Sequence, residues 1–414
     1  MFDKLILKNI GSLFGIQIAG YVIPLITLPY LVRVLGVEGY GYLGFSLAIT
    51  QYFILIVNYG FDLSATSNIA KVSKDKGRIS EIFWNVLLIR LFASFIGLIL
   101  LIIAIYSFSN LYEIFPILLS CYIMVLGTAM FPQWLFQGKE RLGLVSTVRV
   151  ALQFCTIPLI FIFVTGKENI WQAALIGSMP TLGIAIISAL IIFRRGWIVW
   201  IRPTSRAIKN ELIAGWHIFI STAAINLYTT SVTVVLGVIA GPVSVGYFTA
   251  ADRLMKAILG LYGPLSNAFY PRINSAVMES TSKALILIKK LATCIFSIAI
   301  ISSFCLYFLS DYITLMLFGR GFSVTADLLK ILCILPIVIG LSNILGVQVL
   351  IPFGYKKEFS KILMFSGVIS ILILIPLSFL YEEYGAAVSV LITEVIVTTL
   401  MWLTVNKKRI FKKN

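Results

Sequence analysis

The chain has 414 residues, of which 59% are hydrophobic and 12% charged, with a formal net charge of +16. A soluble domain carries about a quarter charged residues, whereas here apolar runs long enough to cross a hydrocarbon core of roughly 30 Å recur throughout. That excludes a soluble enzyme, and the continuity of the runs excludes the short alternating strands of a β-barrel.

Twelve spans are predicted, at about 10–32, 40–63, 82–107, 114–136, 144–165, 170–193, 212–239, 244–270, 289–309, 325–351, 359–380 and 385–405. The segment Met1 to Lys8 precedes an apolar run too long for a cleaved signal peptide, so it is read as leading into a retained first span. The gaps between spans sort by charge. One side collects Lys4, Lys8, Lys71, Lys74, Lys76, Arg78, Lys139 and Arg141. It also takes Arg194, Arg195, Arg202, Arg206, Lys209, Arg272, Lys283, Lys289 and Lys290. Lys356, Lys357, Lys361, Lys407, Lys408, Arg409, Lys412 and Lys413 complete 25 of the 33 Lys and Arg residues. The other side holds Arg33, Lys167, Arg320 and Lys330, with Glu113, Glu382 and Glu383. Cytoplasmic connections collect Lys and Arg, so both termini are expected in the cytoplasm. The net charge then reflects orientation, and no nucleic-acid partner is expected.

Span 1 carries Pro24 and Pro29, which bend helices, and Arg33 closes it as an end anchor or a cavity residue. Asn58 and Asp62 stand one helical turn apart at the end of span 2. Arg90 lies about two turns into span 3 and Arg149 about one turn into span 5, each long enough to snorkel to the cytoplasmic surface. The link 194–211 mixes Trp197 and Trp200 with arginines, as suits a headgroup interface. It divides the chain into a six-helix bundle at 1–193 and another at 212–405, with a basic tail at 406–414. The only histidine, His217, begins span 7 and reads as interfacial.

Span 8 holds Asp252, Arg253 and Lys256 within about a 100° arc of the helix. Asp252 and Lys256 can form a local pair at i,i+4, but one cation is then left to face water, a ligand or another helix. Glu394, near the middle of span 12, is either paired with an arginine or a proton-titrating group. Basic groups outnumber acidic ones inside the spans. A cation transporter would line its cavity with carboxylates, whereas a basic cavity suits a phosphate or pyrophosphate. The five cysteines lack metal or redox spacing, no cofactor is expected, and no ATP-binding phosphate loop is present.

The halves repeat at an offset of 205 residues. Leu35-Gly36-Val37-Glu38-Gly39-Tyr40-Gly41-Tyr42 aligns with Ala240-Gly241-Pro242-Val243-Ser244-Val245-Gly246-Tyr247. Two six-span halves that start on the same side are parallel repeats about an axis along the membrane normal, an arrangement that supports alternating access. The expected fold is thus all-α and integral to the membrane, with about twelve transmembrane helices in two six-helix pseudo-repeat bundles.

Three segments resemble a known family. The run from Pro29 to Gly41 looks like the first-to-second-span signature of polysaccharide flippases. The runs from Asn58 to Thr66 and from Pro132 to Glu140 resemble motifs of O-antigen flippases, with Asp62 where relatives often have Asn. His217 to Ala223, Pro271-Arg272 and Tyr355 to Lys361 extend the similarity along the second half. The resemblance implies the fold shared by multidrug exporters and flippases, a bacterial inner-membrane location and no enzymatic activity. The implied cargo is an undecaprenyl-pyrophosphate-linked O-antigen repeat unit, moved to the periplasmic leaflet. The polysaccharide polymerase and chain-length machinery are further implied partners. On this reading Arg253, Lys256, Arg90, Arg149, Arg33 and Asn58 serve the pyrophosphate and sugar, while Glu394, Asp252 and Asp62 serve ion coupling or salt bridges. The alternatives are a cation or multidrug antiporter of the same superfamily and, from another class, a membrane-embedded polysaccharide polymerase or ligase. The large exported loop of the latter is absent: the longest exported connection predicted is near Ser310 to Thr325.

Overall fold

A computed structural model describes residues 4–72 and 75–410, the side chains of 4–19, 21 and 22 excepted. Lys74, Lys412 and Lys413, and the side chains of Lys4 and Lys8, lie outside the described residues. The chain is helical, with no strand among the described residues. It divides into two compact units, Met1–Ala223 and Ala224–Asn414.

The first unit begins with α1 (Lys4–Asn58), whose 55 residues run through a break at Gly36, φ 71°. At 1.5 Å per residue this is about 80 Å of helix, enough to carry the first two predicted spans. There follow α2 (Phe61–Lys71), α3 (Lys76–Ser107), α4 (Ser109–Glu113), α5 (Phe115–Met130) and α6 (Gln133–Gly138). Next come α7 (Gly143–Phe163) and α8 (Ile170–Arg194), and α9 (Ser205–Thr229) runs across the unit boundary. Asp75 caps α3, its carboxylate accepting from the Arg78 amide at 3.0 Å.

Between helices in lipid no water-exclusion force acts, so close approach of backbones carries the packing. α5 meets α8 this way: a Cβ on Gly127 would stand 2.5 Å from the Leu182 nitrogen. α1 packs on α5 and α7, and α2 on α6. After α8 the chain turns at Gly196 and runs along α3, where the Val199 amide donates to Ser80 Oγ and Trp84 Nε1 donates to the Val199 carbonyl.

The second unit contains α10 (Ser231–Ile239), α11 (Gly241–Leu259), α12 (Tyr262–Glu279) and α13 (Thr281–Phe318). α14 (Ser323–Leu332) and α15 (Leu335–Asn343) precede a π-helical stretch, Ile344–Leu350, and α16 (Lys356–Lys407) closes the chain. α16 breaks at Glu382, φ 48°, and Gly385 lets the chain fold back, since a Cβ there would collide with the Leu377 carbonyl. α13 packs on α12, α14 and α15, and α16 packs on α10, α14 and α15.

Among the described residues eight helices are long and apolar enough to cross a membrane, or nine if the pair Arg320–Leu332 and Leu335–Leu350, bent by 45°, forms one crossing. α11 is not among them, because its 19 residues include Asp252, Arg253 and Lys256. The predicted segments 212–239, 244–270 and 325–351 are each interrupted, near Thr230, Gly260 and Cys333. The two glycines aligned by the internal repeat both take positive φ, 71° at Gly36 and 83° at Gly241. Both therefore occupy the region that glycine enters without a Cβ penalty.

Candidate functional site: a buried arginine node and a charged helix

In the first unit the chain breaks twice beside one arginine. α1 ends at Asn58, and Tyr59 and Gly60 both take positive φ, 44° and 82°, before α2 begins. Gly60 is required there twice over, since a Cβ would also stand 2.7 Å from the Ile218 side chain. The second break follows α5, where Pro132 holds Phe131 in an extended conformation. Each break leaves carbonyls near a helix C-terminus without intrahelical partners.

Arg90 of α3 fills the gap. Only 1% exposed, it donates from Nε to the Val57 carbonyl and from Nη1 to the Phe131 carbonyl, both at 3.2 Å. Nη2 donates to Asn58 Oδ1, and Asp62 Oδ1 lies 3.7 Å from Nη2. The guanidinium sits 4.6 Å from the centroid of the fully buried Trp134 ring. Thr66 Oγ1 donates to the Asp62 carbonyl at 2.6 Å and reaches the Trp134 carbonyl at 3.4 Å. Two segments that stood out in the sequence, Asn58 to Thr66 and Pro132 to Glu140, thus close around a residue that belongs to neither.

Arg149 of α7 stands beside this node. Its Nη1 reaches Gln133 Oε1 at 3.4 Å, its guanidinium is 6.0 Å from the Phe131 ring, and it feels the Asp62 charge. Asp62 therefore acts on two arginines, while 37% of its side chain remains exposed. Arg33 is exposed on α1.

In the second unit Lys256 and Asp252 pair along α11 at 2.6 Å, one helical turn apart. Arg253 is half-buried and forms no ion pair or hydrogen bond among the described residues. The leftover cation of this triad is thus the arginine. Glu394 on α16 is half-buried, forms no ion pair among the described residues, and lies within electrostatic range of the Tyr228 phenol on α9.

Sequence reasoning missed a second polar node in this unit. Ser266 Oγ donates to Asn343 Oδ1 at 2.6 Å, and the wholly buried Gln348 donates from Nε2 to the Ser266 carbonyl at 3.2 Å. Gln348 lies in the π-helical stretch, a geometry that often marks functional positions. An isolated Gln in an apolar run was the only signal. No group of three or more His, Cys, Asp or Glu side chains able to hold a metal ion exists among the described residues.

The family described as "Polysaccharide biosynthesis protein" matches residues 6–277, which include both the Arg90 node and the charged face of α11. A protein of Escherichia coli K12 named "Putative O-antigen transporter" is 38% identical over 407 residues, covering 97% of each chain. A protein of the same name from Shigella dysenteriae is 31% identical, covering 95% of this chain and 98% of its own. Among solved structures, the lipid II flippase MurJ in an inward closed conformation superposes with a TM-score of 0.75 at 16% identity, over 97% of this chain and 87% of that one. An inward-facing multidrug resistance MATE family transporter of the MOP superfamily gives 0.70 at 14% identity, over 100% and 97%. These two likenesses establish an all-α, MATE-like membrane fold.

Proposed function

The chain belongs to the polysaccharide biosynthesis protein family, and from that premise we propose that it is a flippase for lipid-linked O-antigen repeat units. The proposed cargo is carried on undecaprenyl pyrophosphate and passes from the cytoplasmic to the periplasmic leaflet of a bacterial inner membrane by alternating access. The near-full-length relationship to proteins named as O-antigen transporters carries this reading. A pyrophosphate and its sugars cannot enter hydrocarbon without a polar path, whereas the polyprenyl tail can remain in lipid.

In this proposal the bundles at 1–193 and 212–405 alternate about the link 194–211, and both termini lie in the cytoplasm. Arg253 attracts the pyrophosphate, since it has no hydrogen bond or ion pair among the described residues to give up first, and Lys256 and Arg149 add to the positive field. Arg90 acts differently: with Asn58 and Asp62 it is a positioning residue that holds two helix breaks. Arg33 marks the exported end of the path, and Glu394, with Asp252 as the second candidate, exchanges the coupling proton. The polymerase and chain-length machinery receive the product.

Arg253→Ala is expected to abolish surface polysaccharide while leaving the amount of protein in the membrane unchanged. Polymer at the wild-type level in a strain that depends on this variant would refute the assignment.

A further inference from the structure

A cavity of about 480 Å³ opens on the first unit, away from Arg90 and its partners. It is lined by Ala70 near the end of α2, by Gly138 closing α6, by Lys139, Glu140 and Arg141 between α6 and α7, and by Trp197 after α8. Its size falls within the range of small-molecule sites. Gly138 forms part of the wall because no side chain fits: a Cβ would stand 2.8 Å from Ile69 Cγ2.

The lining carries two cations, Lys139 and Arg141, against one carboxylate, Glu140. The half-buried Trp197 ring is approached by two cations, Lys139 Nζ at 5.4 Å and the Arg195 guanidinium at 5.7 Å from its centroid. Lys139, Arg141 and Arg195 form no ion pair among the described residues. Glu140 also lines the cavity, at φ 55°, and engages an interaction of its own. The backbone amides of Lys139, Glu140 and Arg141 are already spent on the carbonyls of Leu135, Gln137 and Phe136. Recognition therefore falls to side chains. Burial lowers the Lys139 pKa below its ordinary value, the expected result for an ammonium that has lost water without gaining an anion.

We propose that this cavity binds a phosphate-bearing lipid headgroup, with Lys139 and Arg141 as its cationic clamp and Trp197 as an apolar wall. A phosphate supplies several strong acceptors at once, matching a lysine and an arginine whose side chains have none among the described residues. The neighbouring Trp200, packed edge-on against Trp84 at 4.6 Å, gives this part of the chain the aromatic character of a membrane–water interface. Two sources share the chemistry: an anionic phospholipid of the surrounding bilayer, and the pyrophosphate of a polyprenyl carrier. Only the second rests on the function proposed above.

The test follows acylation of Lys139 by an amine-reactive reagent, read by mass spectrometry on the full chain in nanodiscs, with exposed Lys289 as the internal reference. Three bilayers are compared: phosphatidylcholine alone, phosphatidylcholine with phosphatidylglycerol, and phosphatidylcholine with undecaprenyl pyrophosphate. A bound phosphate restores the proton on the amine and covers it, so Lys139 labelling should fall several-fold against Lys289. Protection by phosphatidylglycerol identifies the bilayer lipid as the source; protection by undecaprenyl pyrophosphate alone identifies the carrier. In either case Arg141→Gln, at an exposed position, should remove the protection. An equal Lys139 to Lys289 ratio in all three bilayers overturns the proposal, as does protection that survives Arg141→Gln. Neither result bears on the polysaccharide phenotype of Arg253→Ala, so the two readings fail separately.

Discussion

Replacing Arg90 by Met and Asp62 by Asn, singly and together, tests whether the node is one coupled unit. The separation of 3.7 Å gives a Coulombic attraction of roughly 4 kcal/mol at an effective dielectric of 20. Solvent at the Asp62 side chain, 37% exposed, screens this to about 2 kcal/mol. Arg90→Met loses that attraction, leaves the Val57 carbonyl without its donor at a cost of about 1–3 kcal/mol, and loses about 1 kcal/mol of cation–π contact with Trp134. The Phe131 carbonyl suffers less, because it also accepts from the Gln133 amide. The single Arg90 variant should therefore lose about 4–6 kcal/mol and Asp62→Asn about 2 kcal/mol. The double variant should be little worse than Arg90→Met, since the lone carboxylate is gone as well, which amounts to a coupling of about 2 kcal/mol. Unfolding free energies of the purified full chain in mixed micelles supply the four corners of the cycle. Strict additivity, or a stable Arg90→Met protein, would refute the reasoning.

Two further predictions concern backbone and coupling. Gly60→Ala, at φ 82° and with Ile218 in the way, should sharply cut the yield of monodisperse protein. Gly241→Ala, at φ 83° but facing open space, should cost only the left-handed penalty of about 1–2 kcal/mol, and equal losses would contradict the packing argument. Glu394→Gln should make cargo translocation in proteoliposomes insensitive to an imposed pH gradient, whereas an undiminished response to the gradient would remove Glu394 from the coupling step.

Much of the fold was legible because its causes are local. Apolar length located most of the helices, and the aligned Gly36 and Gly241 both fall where the backbone takes positive φ, whereas the break at Phe131 and Pro132 lay inside the predicted span 114–136. The interruptions within the predicted segments 212–239, 244–270 and 325–351 were less legible. A helix break costs the sequence few residues, and hydropathy averaged over a span does not register it. The triad on α11 was readable as a pair with one cation over, since Asp252 and Lys256 fall at i,i+4. The partners of Arg90 were not readable. They are carbonyls of Val57 and Phe131, groups that every residue possesses, brought together from three helices. Only the unusual density of Trp, Gln and Gly after Pro132 hinted that something specific packs there.

The family-like segments and the cargo chemistry then separate in a way that composition alone does not reveal. A guanidinium that donates from three nitrogens and lies against an indole can neutralise a pyrophosphate only by releasing acceptors it already satisfies, among them the Val57 carbonyl. Arg253 has no hydrogen bond or ion pair among the described residues to release. The segments Asn58 to Thr66 and Pro132 to Glu140 are therefore better understood as the mould for a structural arginine, with their outer end, Lys139 onward, facing a cavity of its own. Substitutions within the mould should act first on stability and on the breaks beside α1 and α5. Substitutions at Arg253 should act on transport with stability preserved. A variant that changed cargo preference by altering only the mould would contradict this division.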